Sequence, residues 1–110
     1  MKAARTVVDW QPFHQVNALN AIAGKWKVQI ICHLLSGTKR FSDLGRLLPG
    51  IGRGMLSYDL RQLVADGIIA RTQHQTIPPT VEYTLTGKGI ALKPLLIELQ
   101  RWGFLFGTPK

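Results

Sequence analysis

The stretch Pro49-Gly50-Ile51-Gly52 most constrains what this chain can fold into, because it halts one short helix and lets another begin almost at once. Proline followed by glycine breaks a helical run. Upstream, Ser42 is placed to cap the third helix, with Asp43 favourable against its dipole. Downstream, residues from about Gly52 to Ala65 form the fourth helix, which ends in Asp66-Gly67. Stepping ~100° per residue puts Leu56, Leu60, Leu63 and Val64 on one side, while Gly54, Tyr58, Arg61 and Gln62 face away. Arg53 and Ser57 lie on a flank near the N-terminal end. A helix built only for stability would open with a capping Ser or Asp and carry Ala, Glu and Lys outside. This one opens Gly-Arg-Gly, so its outer side answers to something besides stability.

The rest of the chain falls into place around that turn. After an N-terminal arm (1–15), Val16 to Ala23 reads as a helix with Val16, Leu19 and Ile22 or Ala23 on one side. Lys25 to Leu35 is a second, largely apolar and therefore buried helix, ended by Ser36-Gly37. Two β-type runs, Ile68 to Gln75 and Val81 to Leu85, flank Pro78-Pro79, which belongs in the loop because proline cannot donate to a ladder. Thr86 caps a last helix reaching about Phe106, within which Pro94 either kinks the helix or sits in its first turns. Residues 16–106 are thus one domain, followed by a tail (107–110). The expected fold is mainly α with a small β-hairpin: a winged helix-turn-helix with an extra helix at each end, the hairpin being a wing of two or three strands.

Charge narrows the partner. Lys and Arg outnumber Asp and Glu by 14 to 6 in 110 residues, a net +8. That excess favours a polyanion, either nucleic acid or an anionic membrane surface. The most apolar segment, Gly89 to Phe106, is interrupted by Lys93, Pro94, Glu98 and Arg101, which argues against a membrane partner. The N-terminus shows no signal-peptide pattern, and a single cysteine excludes an internal disulfide framework, so the expected location is the cytoplasm.

Double-stranded DNA is then the expected partner. In a helix-turn-helix the second helix enters the major groove and its N-terminal residues meet base edges. Arg53, Ser57, Tyr58, Arg61 and Gln62 are the candidate contacts, and glycines at the helix start let backbone amides approach phosphate closely. Lys39, Arg40 and Ser42, ahead of the third helix, are placed for phosphate contact, and Arg71 and His74 are candidates on the hairpin. The bland alternative is a solvated face on a winged-helix module that binds protein; steep salt dependence of duplex binding separates the two.

Leu92, Leu95, Leu99, Trp102 and Phe106 form a seam along the last helix. With Leu96, Ile97, Phe104 and Leu105 added, and Trp10, Phe13, Val16 and Leu19 also to bury, one small domain is short of interior. A homodimer interface on the two terminal helices is expected. The apolar space between those helices also leaves room for an unidentified small-molecule effector. Cys32 and His33 are adjacent, but helix neighbours point ~100° apart, so Cys32 reads as a buried structural thiol. His14, His33 and His74 lack metal-ligand spacing, and no phosphate-binding glycine loop or acid–base pair is present, so neither cofactor nor enzyme activity is expected.

Three stretches, "AGKWKVQIICHLLSGTKRFSDL", "LPGIGRGMLSYDLRQLVADGIIAR" and "PPTVEYTLTGKGIALKPLL", closed by Trp102, resemble the HxlR-type winged-helix transcriptional regulators from about Ala18 to Gly103. The resemblance implies a homodimeric bacterial DNA-binding regulator, with repression the expected direction and an inverted-repeat operator. Three features depart from the family. Phe13 and His14 stand where members often carry Cys-Pro, so thiol sensing there is not available. Thr80 follows the two prolines where Arg or Lys is usual, so the wing meets DNA there without a cation. Gly52 replaces a capping Ser, which loosens the start of the fourth helix.

Overall fold

A computed structural model describes residues 12–108. The described chain runs α1 (Pro12–Ile22), α2 (Lys25–Leu34), β1 (Lys39–Arg40), α3 (Phe41–Leu47), α4 (Arg53–Ala65), β2 (Ile69–His74), β3 (Thr80–Leu85), α5 (Gly87–Ile90) and α6 (Lys93–Phe106). The expected winged helix-turn-helix is present, and α1 begins at Pro12, earlier than periodicity alone places it.

Helices α2, α3 and α4 pack around Ile30, Ile31, Leu34, Leu44, Leu48, Leu56, Leu60 and Leu63, all buried. The turn after α3 sits on Trp26: Gly50 has φ +93°, a conformation that favours glycine, and a Cβ there would lie 3.8 Å from the indole. Helix α4 ends in a Schellman motif. Gly67, at φ +75°, donates its N–H to Val64 O, and Ile68 N–H reaches back to Leu63 O. Leu63 and Ile68 are both buried, which supplies the hydrophobic contact that accompanies this cap. The chain thereby turns from helix to hairpin with its last carbonyls satisfied.

The sheet has three antiparallel strands in the order β1-β3-β2, with Arg71 opposite Tyr83 and Thr72 opposite Glu82. The third strand is the short β1, whose Lys39 and Arg40 pair with Tyr83 and Glu82 and so tie the wing to the start of α3. Ile69 and Tyr83 turn the sheet's inner face into the core.

The last helical segment is two helices. Thr86 caps α5: its Oγ1 accepts from Gly89 N–H and donates to the carbonyls of Gly67 and Ile68. Pro94 lies in the first turn of α6, where its missing N–H costs nothing, so there is a break before it and no kink inside. Only Leu96 of α6 is buried in this chain, while Leu92, just before α6, is half-buried against the same core. Two sequence expectations are corrected here. Val64 is not on the core side of α4; it is 36% exposed on the flank, and Asp59 takes the inner place at 7%. Ser42 does not cap α3; the helix starts at Phe41, two residues earlier than a Ser42 cap requires, so Arg40 is the N-cap and Asp43 Oδ2 accepts from Arg40 N–H at 3.1 Å.

Candidate nucleic-acid interface

Helix α4 presents the candidate residues because packing buries Leu56, Asp59, Leu60 and Leu63 and leaves the rest of its surface half-buried or exposed. Its N-cap, Gly52, provides no side-chain acceptor, so the first-turn amides are not satisfied by a capping side chain. Arg53 follows, exposed, with its guanidinium 5.4 Å from the Phe41 ring centroid. Arg61, one face further along, donates from Nη1 to Ser57 Oγ at 3.0 Å. Both arginines are therefore oriented by neutral partners. Tyr58 is 52% exposed and Gln62 half-buried on the adjoining face.

The structure divides these residues between two surfaces. Arg53, Ser57 and Arg61 meet Arg71 of β2 across a groove floored by Phe41, Val64, Val81 and Tyr83. Tyr58 and Gln62 lie outside that groove. Met55, half exposed on the outer face of α4, is a member of the surface that sequence reasoning passed over. Its side was legible from periodicity; its apolar character hid it among core candidates. Phe41 was also missed, since its place beneath Arg53 depends on how α3 meets α4.

The remaining candidates are held in other ways. Arg40 lies 4.0 Å from Glu82, and His74 Nε2 donates to the same carboxylate at 2.9 Å, so Glu82 binds wing to β1 and engages both. Lys39 Nζ folds back on the preceding turn, donating to Ser36 Oγ at 3.1 Å and to Gly37 O at 3.4 Å. Ser42 is exposed, and Thr80, half-buried, pairs with His74 at the start of β3. Ile77, at the hairpin tip, is fully exposed.

Cys32 requires a correction. It is exposed, not buried, and lies in an apolar groove between α2 and α6 with Val28, Leu35, Leu96 and Leu99. Helix α2 is covered by the sheet and by α4 on its other sides, which leaves this edge open. Partial burial among those apolar neighbours raises the thiol pKa by disfavouring the charged form.

The terminal helices leave a large apolar surface outside. Phe13, Val16 and Leu19 on α1 are exposed, as are Leu95, Leu99, Trp102 and Phe106 on α6. Trp102, at 62% exposure, stacks tilted on Phe106 with ring centroids 5.7 Å apart. Trp10 lies outside the described residues. No described helix is long and apolar enough to cross a membrane, and among the described residues no group of three or more His, Cys, Asp or Glu could hold a metal ion.

Comparison with known proteins decides the family. The model of the HxlR-like helix-turn-helix matches residues 21–110. The chain belongs to the HxlR-like helix-turn-helix family. The HTH-type transcriptional regulator YtcD of Bacillus subtilis is 48% identical over 85 residues, covering 77% of this chain and 68% of YtcD. An HTH-type regulator of Methanothermobacter thermautotrophicus is 43% identical over 91 residues, 83% of this chain and 70% of that protein. The reduced form of the transcriptional regulator YodB from B. subtilis superimposes with a TM-score of 0.80 at 32% identity, covering 93% of this chain and 99% of that one. This HxlR-like protein is a DNA-binding transcriptional regulator of the winged-helix type. Its family and relatives are regulators, not enzymes.

Proposed function

We propose that this regulator works as a homodimer on an inverted-repeat operator, with α4 of each copy in the major groove and repression as the direction of control. One observation carries the reading. The outer face of α4 presents Arg53, Tyr58, Arg61 and Gln62 beside a first turn with no capping side chain, and Arg71 of the hairpin stands next to it. Amides and cations there suit phosphate, and forked or flat polar side chains suit base edges. Arg61, Tyr58 and Gln62 are assigned to base reading, with Arg53 and Ser57 at its edge. Lys39, Arg40, Ser42, Arg71, His74 and Thr80 are assigned to positioning on the backbone.

The unpartnered apolar surfaces of α1 and α6 support self-association, since a monomer rarely leaves so much large apolar side chain in water. A twofold dimer presents two copies of α4, so half-sites should lie ~10 base pairs apart centre to centre, or a multiple of that. Selection of bound duplexes from a randomised pool, at moderate salt, tests the reading. Enrichment of an inverted repeat is expected. Binding without enrichment would reduce the protein to a non-specific DNA binder, and no duplex binding would make it a protein-interaction module.

A further inference from the structure

We propose that the groove between α4 and the β2–β3 hairpin binds a flat apolar anion, an aromatic carboxylate, and that this ligand competes with DNA. The groove encloses about 730 Å³, inside the range of roughly 300–1,000 Å³ usual for small-molecule sites. Its floor is apolar, from Phe41, Val64, Val81 and Tyr83, and Arg53, Arg61 and Arg71 stand around it.

The charge in this groove is left open to an outside anion. No acidic residue lines it, and among the described residues no carboxylate lies within ion-pair distance of these three arginines. The other three arginines of the described chain each face a carboxylate: Arg40 lies 4.0 Å from Glu82, Arg46 pairs with Asp43, and Arg101 pairs with Glu98. Arg53 and Arg61 are instead oriented by a ring and a hydroxyl, which hold a guanidinium in place without neutralising it.

The floor selects the ligand class. Phosphate contact needs cations on an open surface and gains nothing from apolar side chains beneath them. A ring carrying a carboxylate uses both parts: the ring covers the floor, and the carboxylate takes a forked pair of hydrogen bonds from a guanidinium. Competition rests on the proposed reading of α4, because the same arginines cannot serve ligand and duplex together.

The probe is 2-naphthoate, titrated calorimetrically into the full chain without DNA. One saturable site per chain is expected. Affinity should fall about tenfold or more in Arg71→Gln, as for loss of a charge-assisted pair, and by a similar factor for the neutral analogue 2-naphthamide. Arg71 is an exposed strand residue, and a circular dichroism spectrum checks that the variant is folded; Val81→Asp, a like charge on the floor, gives a second, independent loss. Absence of saturable binding overturns the proposal, as does unchanged affinity in Arg71→Gln, or equal binding of the amide or of inorganic phosphate. Naphthoate should then displace duplex in proportion to its affinity for the free protein. Binding without displacement overturns the competition. Naphthoate binding by a chain that binds no duplex supports the ligand site and counts instead against the DNA reading of α4.

Discussion

Arg61 is the residue whose surroundings say most about its use. Its guanidinium is exposed, anchored by Ser57 Oγ through one N–H, and among the described residues has no carboxylate within ion-pair distance. Arg61→Ala should weaken binding to the selected operator, and if the fork is bidentate to a guanine it should relax preference at one base pair by ~1–3 kcal/mol. Equal losses on every duplex in a competition assay would assign Arg61 to phosphate. Cys32 makes the opposite point, that a residue's neighbours in sequence are not its environment. Its helix reads as largely apolar, yet the thiol sits in an open groove with its pKa raised by partial desolvation. The thiolate is the reactive form, so alkylation near pH 7 should be slower in the native chain than in the urea-unfolded chain. The difference should close as pH rises past the folded-state pKa. Equal rates at neutral pH would show that the groove does not shield the thiolate.

At the level of elements, glycines separate packing from recognition. Gly89 of α5 is buried where a Cβ would overlap the carbonyl of Ile68 and lie 2.9 Å from Leu85 Cδ2. Gly89→Ala should cost about 1–3 kcal/mol or more in chemical denaturation, because backbone must move to admit it. Gly54, in the first turn of α4, has nothing within 4 Å of an added Cβ. Gly54→Ala should stabilise the free protein by up to about 1 kcal/mol yet reduce duplex affinity if α4 docks as proposed, with its first turn against phosphate. A variant that gains stability and keeps full affinity would remove close approach as the reason for glycine there. The ends of α4 were legible for a local reason: Pro49-Gly50 and Asp66-Gly67 act through turn geometry set by the residues themselves. The start of α3 was not, because Ser42 and Asp43 both suit a helix N-terminus, and the pairing of β1 with β3 goes with a start at Phe41.

For the whole molecule, the proposed homodimer rests on the exposed apolar seam of α6. Trp102→Glu should convert a dimer to a folded monomer by light scattering and lower operator affinity, because two α4 helices no longer arrive together. A dimer that survives this change would place the interface elsewhere. The winged helix-turn-helix order, the outward side of α4 and the excess of apolar side chain on the terminal helices were determined by the sequence alone, since each follows from periodicity, turn residues or composition within one segment. Tertiary structure decided the rest. It put Phe41 under Arg53 and Arg71 across from Arg61, committed Arg40 and His74 to Glu82, and left Cys32 in the open. These are contacts between side chains from separate segments, and their distances exist only once the helices and the hairpin have packed on a common core.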